Sequence, residues 1–330
     1  MSNDLKTEDI ETVDSDPPLL VIVGPTAVGK TAAAVEIART TGGEIVSADS
    51  MQVYRAMDIG TCKPTATEMR LARFHLVDIA EPNVQVTVSY WKSLAESAIL
   101  EIRRRGRVPI VCGGTGLYIR SLLQGWMLAG TAADPELRAS LSARAQEVGS
   151  AVLHKELAEI DPSSASRLHP NDLKRIVRAL EVYYTSGVTI TDHIKRDGNR
   201  AAVRPAMVFG LMLPRPLLYE RIEARVDQMI AGGLENEVRR LLDSGIGPDL
   251  SSMRSLGYRE MVQHIEGEIS HPEMVSAIKQ STRRYAKRQE TWFRRDSAIE
   301  WIDVTALNST QVADRILHRL EKEHKQITVH

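Results

Sequence analysis

The feature that most constrains the fold is a glycine-rich loop between an apolar run and a helix-forming segment. Residues 24–31 match the pattern G-x-x-x-x-G-K-[ST], and the apolar run Leu19–Val23 lies directly before them. Residues 30–41, which follow, are rich in alanine and predict a helix. An apolar run that ends at a glycine in this way is typical of a buried parallel strand, so we expect a sheet covered on both faces.

The loop also predicts a binding site for phosphate groups. Glycine lets backbone N–H groups turn toward an anion, and the N-terminus of the next helix adds unpaired donors and a favourable dipole. Lys30 places a positive charge on a terminal phosphate, and the hydroxyl of Thr31 is a ligand for Mg²⁺, the expected cofactor. The predicted phosphate-binding residues are Gly24, Pro25, Thr26, Ala27, Val28, Gly29, Lys30 and Thr31.

The order of apolar runs and helical patterns predicts an α/β fold. Further strand-like runs occur at 44–48, 108–112, 206–213 and 298–302. Helical patterns occur at 89–105, 216–244 and 271–295. This alternation is typical of a P-loop NTPase-like parallel sheet. Residues 134–186, in contrast, are helical almost throughout, which predicts a helical insertion domain.

These patterns divide the chain into three predicted parts. Residues 1–17 are acidic and poor in apolar side chains, which predicts a disordered tail. Residues 18–123 and 203–330 form the predicted core domain with its C-terminal helices. Residues 124–202 form the predicted insertion between the two halves of the core.

Composition excludes several classes of protein. Of the 330 residues, 43% are hydrophobic and 26% are charged, which is ordinary for a soluble globular protein. No apolar run is long enough to span a membrane and the N-terminus is polar, so we expect a cytoplasmic protein. The two cysteines, Cys62 and Cys112, form no CxxC pair, which argues against a structural zinc site. The net charge of −1 does not require a nucleic-acid partner.

Asp49 follows the second predicted strand, where a side chain is expected to face the ligand. The carboxyl ends of parallel strands border the ligand crevice, and a carboxylate beside bound phosphates suits a general base or a partner of Mg²⁺. A helix cap is an equally good interpretation of the local pattern. A kinase or ATPase also needs a second acidic ligand of Mg²⁺ at a later strand end, and the sequence offers only the weak candidate Asp78.

An ordered series of motifs narrows the choice. The motifs are Gly24–Thr31, Ser47–Arg55, Asp58–Pro64, Gly113–Tyr118, Arg167–Asp172, Ser255–Glu260 and Lys287–Arg294. Together they resemble the bacterial tRNA isopentenyltransferase family, whose members are also called tRNA dimethylallyltransferases. The resemblance covers about residues 18–302 and is far more specific than the phosphate loop alone.

The resemblance implies a reaction. Dimethylallyl diphosphate donates its prenyl group to N6 of the adenosine immediately 3′ of the anticodon in tRNA, and diphosphate leaves. The predicted partners are dimethylallyl diphosphate and a tRNA anticodon stem-loop, and the expected enzyme is a monomer. The catalytic residues implied by the resemblance are Asp49 as general base, with Lys30 and Thr31 acting on the leaving diphosphate.

Two arginines are candidates for a clamp on the diphosphate. Arg221 and Arg225 lie one turn apart on a predicted helix and share a face. The resemblance supports diphosphate binding by this helix and leaves open which arginine makes the contact. Pairing with the neighbouring acids on the same helix is the alternative interpretation for one of them.

Basic and aromatic residues near the C-terminus predict contact with RNA. A set of residues recurs at helical spacing and places positive charge on one face, namely Arg284, Lys287, Arg288, Thr291 and Arg295. Such a face is usually only solvated, but the resemblance favours RNA. The predicted tRNA-binding residues are Asp49, Ser50, Met51, Gln52, Thr115, Arg138, Lys174, Arg175, Arg178, Arg254, Gly257, Tyr258, Arg259, Lys287, Arg288, Gln289, Thr291, Trp292 and Arg294.

Two other functions compete with tRNA prenylation. An isopentenyltransferase acting on free adenine nucleotides would share the phosphate loop and Asp49, but would not need the helical insertion or the basic segment Lys287–Arg294. A P-loop nucleotide kinase, or a nucleotide-regulated RNA-binding protein, would share the loop alone. The insertion and the basic segment favour tRNA as the substrate.

Overall fold

Six parallel strands form the centre of the fold in the computed structural model. The structure describes residues 18–124, 134–200 and 205–327, without the side chains of 197–200 and 323–327. The strands are β1 Leu19–Val23, β2 Glu44–Ser47, β3 Phe74–His75, β4 Pro109–Cys112, β5 Ala206–Met212 and β6 Ile299–Asp303. Their order in the sheet is β3-β2-β4-β1-β5-β6. The predicted parallel α/β sheet is therefore confirmed.

The central strand β1 is buried on both faces. Val21 pairs with Val111 of β4 on one side and with Val208 of β5 on the other. Alternate β1 side chains enter two separate hydrophobic clusters, with Val21 in one and Leu20 in the other. This two-sided burial explains why β1 is apolar throughout and does not alternate with polar residues.

Helices cover both faces of the sheet. In the first part of the chain they are α1 Lys30–Thr41, α2 Ala66–Leu71, α3 Val88–Arg104 and α4 Gly116–Leu123. After β5 they are α10 Arg215–Ala231, α11 Leu234–Asp243, α12 Tyr258–Ile265, α13 His271–Phe293 and α14 Ser309–Ile327. Helices α1 and α14 pack on the cluster that contains Leu20, and α3 packs on the cluster that contains Val21. Among the described residues, no helix is both long enough and apolar enough to cross a membrane.

The segment between β4 and β5 folds into helices with a core of their own. They are α5 Pro135–Val148, α6 Ser150–Ile160, α7 Pro162–Ala165, α8 Leu173–Ser186 and α9 Ile190–Arg200. Their buried residues, such as Leu153, Leu157 and Leu180, form a third hydrophobic cluster that shares no member with the two clusters of the sheet. The helical character predicted for 134–186 is confirmed, whereas the domain boundaries stay a prediction. The predicted tail, 1–17, lies outside the described residues.

One predicted helix is wrong in its extent. The pattern at 216–244 predicts a single helix, but the structure has two, α10 and α11, separated by Gly232 and Gly233. Gly233 has a φ of 95°, a left-handed conformation that glycine adopts without strain, and it begins α11. Apolar periodicity continues across the break, which explains why the sequence suggests one helix.

A buried acid lies at the edge of the sheet opposite the phosphate loop. Glu44, at the start of β2, is 3% exposed and its carboxylate contacts His75 at 2.6 Å and Arg105 at 2.8 Å. Burial alone would raise the pKa of Glu44, but the hydrogen bonds from His75 and Arg105 outweigh it and lower the pKa below its ordinary value. Glu44 therefore ties β2 to β3 and α3 in its ionised form.

This arrangement predicts a component of acid sensitivity. Because the pKa of Glu44 is lower in the folded state, its contribution to stability is present above the ordinary glutamate pKa and is lost as the pH falls through the lowered value. We expect the free energy of unfolding to fall less between about pH 5 and pH 3 in Glu44→Gln than in the parent protein. Denaturant titrations at each pH measure this, with the exposed Glu159→Gln as control. Parallel pH curves for Glu44→Gln and the parent would contradict the assignment.

Candidate active site

A cavity of about 350 Å³ lies at the carboxyl edge of the sheet. The phosphate loop, the segments that follow β2 and β4, and helices α10 and α13 all contribute to its wall. Its charged lining residues are Lys30, Asp49, Arg225 and Arg288. Parallel strand direction explains this meeting, because loops that leave neighbouring parallel strands emerge at the same edge.

The phosphate loop has the shape that its sequence predicts. Helix α1 begins at Lys30, directly after Gly29, whose φ is 102°. Gly24 has a φ of 143°, and a Cβ there would lie 2.6 Å from the carbonyl oxygen of Leu211, so no larger residue fits. Lys30 Nζ donates a hydrogen bond to the Pro25 carbonyl at 2.8 Å, which folds its side chain back over the loop. A helix N-terminus and an ammonium group thus face the same space, as an anion site requires.

Burial shifts the pKa values of Lys30 and Asp49, and the attraction between the two charges opposes both shifts. Burial lowers the pKa of Lys30 to about 8, with Arg225 acting in the same direction and Asp49 opposing it. Burial raises the pKa of Asp49, while the Met51 N–H and the charge of Lys30 hold it down. A carboxylate with a raised pKa is a stronger proton acceptor than an exposed aspartate.

Asp49 both caps a turn and lines the cavity. Its Oδ1 accepts hydrogen bonds from the backbone N–H groups of Met51 at 2.8 Å and Gln52 at 3.4 Å, so the side chain caps a turn. The same residue lines the cavity beside Lys30. The capping contacts fix the orientation of the carboxylate, which leaves its second oxygen for a ligand in the cavity.

The turn that carries Asp49 is held by α3 and by the loop after β4. Trp91, which is fully buried, donates its indole N–H to the Ser47 carbonyl at 3.1 Å and stacks on Tyr118. Thr115 accepts a hydrogen bond from the Ser50 N–H at 3.0 Å. Thr115 therefore supports the turn that carries Asp49, and it is not among the described residues that line the cavity.

The structure distinguishes the two candidate arginines. Arg225 lines the cavity and donates to the Thr26 hydroxyl at 3.4 Å, which brings its guanidinium to the phosphate loop. Arg221, one turn earlier on α10, is exposed and is not among the described residues that line the cavity. Of these two arginines, Arg225 is therefore the one placed to contact a ligand held by the loop.

A buried carboxylate that the motifs did not single out holds one wall of the cavity. Glu237 on α11 is 2% exposed and accepts hydrogen bonds from the N–H groups of Asp58, Ile59 and Gly60 at 2.8–3.1 Å. Tyr258 donates its hydroxyl to the same carboxylate at 2.6 Å. The sequence gives no signal for this contact, because Glu237 is one of several acids on an amphipathic helix.

The wall held by Glu237 continues to the turn that carries Asp49. Gly60, which lines the cavity, lies against the Tyr258 ring, and a Cβ there would be 2.3 Å from a ring carbon. Gln52 donates to the Cys62 carbonyl at 3.1 Å and accepts from the Ser47 hydroxyl at 3.0 Å. Glu237 thus acts on the cavity through the backbone of residues 58–62, without lining it.

Two of the residues predicted to contact tRNA have side chains that face the protein interior. Tyr258 is completely buried and its hydroxyl is donated to Glu237. Gln289 is 5% exposed, and both ends of its amide are hydrogen-bonded inside the protein. Gly257 is also buried and serves as the N-cap of α12. Helical and loop motifs alone do not reveal which of their polar residues face inward.

Other predicted RNA-binding residues line a cavity or are exposed to solvent. Ser50, Met51, Gln52 and Arg288 line the cavity together with Asp49. Lys287 and Thr291 are exposed on α13. Trp292 lines a neighbouring cavity of about 390 Å³ next to Gly116. Three further arginines are exposed but form ion pairs with acids, namely Arg254, Arg259 and Arg294.

The predicted contacts in the helical segment are of two kinds. Arg138 and Arg178 each donate to the buried carboxylate of Glu181 at 2.8 Å, so both stabilise the segment internally. Lys174 and Arg175 are exposed on α8, and Arg175 pairs with Asp172. Of these four residues, Lys174 and Arg175 are the exposed ones.

The oxygen ligands needed for a magnesium ion are present at the phosphate loop. The Thr31 hydroxyl and the Asp49 carboxylate both line the cavity. Across the described ranges, no group of three or more His, Cys, Asp or Glu residues is arranged to hold a metal. Mg²⁺ commonly takes one or two protein oxygens and completes its shell with phosphate and water, so the Thr31 hydroxyl fits that ion as its protein ligand. Asp78, the weaker candidate, contacts Lys63 and does not line this cavity.

The strand, glycine-rich loop and helix at the carboxyl edge of a parallel sheet define a P-loop fold. A family model described as "IPP transferase" matches residues 52–296 of the chain. The chain therefore belongs to the IPP transferase family and is an enzyme of the prenyltransferase class.

Named relatives are similar over almost the whole chain. A tRNA dimethylallyltransferase from Desulforudis audaxviator is 49% identical over 308 residues, which is 93% of this chain and 99% of the relative. A tRNA isopentenylpyrophosphate transferase from Bacillus halodurans, known from its crystal structure, is 39% identical in sequence. The TM-score is 0.69, and the match covers 95% of this chain and 100% of that one. A eukaryotic dimethylallyltransferase acting on tRNA is 25% identical, with a TM-score of 0.76 and coverage of 92% of this chain and 78% of that one.

The contact between Tyr258 and Glu237 predicts a measurable loss of stability. In Tyr258→Phe the Glu237 carboxylate loses its hydroxyl donor in a buried place, and we expect the free energy of unfolding to fall by about 1–2 kcal/mol. Urea denaturation measures this, with Tyr90→Phe at a half-exposed position of α3 as control. Equal stability of the two variants would show that the hydroxyl contributes nothing.

Proposed function

We propose that this enzyme transfers the dimethylallyl group of dimethylallyl diphosphate to N6 of the adenosine 3′ of the anticodon in tRNA, and releases diphosphate. The observation that carries the proposal is the meeting of a phosphate loop, the Asp49 carboxylate and the Arg225 guanidinium in one cavity. Membership of the IPP transferase family and the names of the relatives support the choice of prenyl donor and RNA acceptor in this proposal.

The leaving diphosphate lies, in this proposal, on the phosphate loop. The amides at the start of α1, the Lys30 ammonium and the Arg225 guanidinium stabilise the negative charge that grows as the bond from C1 to oxygen breaks. A bound Mg²⁺ ion, held by Thr31 with Asp49 beside it, would supply further positive charge to the diphosphate oxygens. Electrostatic stabilisation of the leaving group is the main requirement, because C1 of the allyl group gains carbocation character as diphosphate departs with the negative charge.

The acceptor adenine faces Asp49. The N6 lone pair forms the new bond to C1, the electron pair of the broken bond leaves with diphosphate, and N6 gives up a proton. The amine is a weak acid until the new bond forms, so the base must be close when that happens. Asp49 accepts this proton, and its raised pKa together with its fixed orientation supports the role.

The remaining cavity wall suits the two organic parts of the substrates. Cys62, Val226, Met229 and Leu256 give it an apolar side for the prenyl group. The buried Ser255 hydroxyl lines the cavity without a hydrogen-bond partner among the described residues, and a buried hydroxyl of this kind calls for a ligand partner. An adenine from an RNA loop must leave its stack to enter such a pocket.

The exposed cations favour RNA over a free nucleotide as the acceptor. Lys287 and Arg288 continue the positive charge of the cavity mouth along α13, and Lys174 and Arg175 add charge on α8. Cations outside the cavity can bind successive phosphates of an RNA backbone, and a free nucleotide has no such backbone. A cytoplasmic location and a monomeric state, both expected from the sequence, are part of the same proposal.

One assay separates the competing functions. The protein is mixed with Mg²⁺, dimethylallyl diphosphate and tRNA that lacks the modification, and the nucleosides are examined by mass spectrometry for prenylated adenosine. Parallel reactions contain AMP in place of tRNA, or ATP without the prenyl donor. Product with AMP alone would replace tRNA by a free nucleotide as the acceptor, and ATP turnover alone would favour a kinase or ATPase.

Replacing Asp49 tests the proton acceptor. Asp49→Asn keeps an oxygen for the Met51 N–H but removes the base, so we expect the single-turnover rate to fall by about 10²–10⁴. Affinity for tRNA, measured by filter binding, is expected to stay within a few-fold. Asp243→Asn, at an exposed position of α11, is the matched control. A variant of Asp49 that turns over at the parent rate would exclude it as the base.

The two arginines of α10 provide a matched pair. Arg225→Ala removes a charged hydrogen-bond donor from the diphosphate, so we expect KM for dimethylallyl diphosphate to rise about tenfold to hundredfold. Arg221→Ala, one turn away and exposed, is expected to change KM by less than about twofold. Steady-state kinetics with saturating tRNA measure both, and equal effects would contradict the placement of the clamp.

A further inference from the structure

The Gln289 side chain links two loops that border the active site. Gln289 lies on α13, is 5% exposed, and accepts a hydrogen bond on Oε1 from the Thr26 N–H at 2.8 Å. Its Nε2 donates to the Gly114 carbonyl at 2.9 Å. Thr26 belongs to the phosphate loop, and Gly114 belongs to the turn after β4. One amide therefore joins residues that are 175 and 263 positions away in the sequence.

The fit around this amide is tight and directional. A Cβ at Gly114 would lie 2.1 Å from Gln289 Nε2, so the turn comes close only because it has glycine there. The acceptor end faces an N–H and the donor end faces a carbonyl, and the amide supplies both groups on separate atoms. Since the amide oxygen and nitrogen each have a partner inside the protein, the side chain has little left to offer an RNA base.

We propose that Gln289 is a positioning residue for the diphosphate subsite, and not a contact for tRNA. It holds the phosphate loop and the turn after β4 at a fixed separation from α13, so that Thr26 stays beside Arg225. The inference rests on the proposed function in taking a diphosphate as the occupant of the loop and tRNA as the ligand of the exposed side of α13. It assigns the inner side of α13 to anion binding, while Lys287 and Thr291 on the exposed side face RNA.

Calorimetry with inorganic diphosphate and Mg²⁺ tests the assignment without any prenyl transfer. In Gln289→Ala the Thr26 N–H and the Gly114 carbonyl lose their partner, and we expect diphosphate affinity to fall by about tenfold or more. Affinity for tRNA, measured by filter binding, is expected to stay within about twofold. Lys287→Ala on the outer side is expected to show the reverse, with weaker tRNA binding and parent-like diphosphate binding.

Two further variants separate positioning from general damage to the fold. Gln289→Glu keeps an acceptor for Thr26 but turns an oxygen toward the Gly114 carbonyl, so diphosphate affinity should fall although the side chain keeps its size. Gly114→Ala displaces the amide from the opposite side and should weaken diphosphate binding in the same way. Thermal unfolding identifies variants that remain folded, and the prediction must hold for those.

The outcomes distinguish this inference from the proposed function. A parent protein that binds diphosphate but transfers no prenyl group would contradict the proposed function and leave the test of Gln289 intact. Folded Gln289 variants that bind diphosphate as the parent does, or that lose affinity for tRNA instead, would overturn the positioning role. Loss of both affinities together would also overturn it, because a general structural defect produces that result.

Discussion

The pairing of β1 with a parallel neighbour on each side is the constraint on which the active site depends. It forces the chain to leave β1, β2 and β4 at one edge of the sheet, where the phosphate loop, the Asp49 turn and the Gly114 turn meet. The interior strand must be apolar throughout to satisfy both faces, and it is. Strand direction brings these loops together, and helices α10 and α13 complete the wall of the site.

Much of the fold is readable from the sequence because its strongest signals are local. The strand Leu19–Val23 and the helix Lys30–Thr41 are observed where the apolar run and the alanine-rich segment predict them. The strand β3 could not be predicted, because two residues carry no periodicity and their pairing depends on β2. The sequence pattern does not reveal the break between α10 and α11, because apolar spacing continues through Gly232 and Gly233.

The site was less predictable than the fold because tertiary packing decides whether a side chain faces inward or outward. Motifs identify Tyr258 and Gln289 as important, yet both face inward, and nothing in the neighbouring residues separates them from exposed Lys287. Arg221 and Arg225 have the same local pattern, and only the packing of α10 on the sheet decides which one reaches the phosphate loop. Glu237 shows the limit most plainly, since its partners are backbone groups about 180 residues earlier in the chain.

The separate core of the helical segment has a consequence for how the enzyme can vary. Since Leu153, Leu157 and Leu180 pack with one another and not with the sheet clusters, a change of volume among them is absorbed within the segment. Residues on its exposed side, such as Lys174, can then be replaced without repacking the carboxyl edge of the sheet, where the cavity lies. The surface of the segment and the core of the sheet would in this way be open to independent change during evolution.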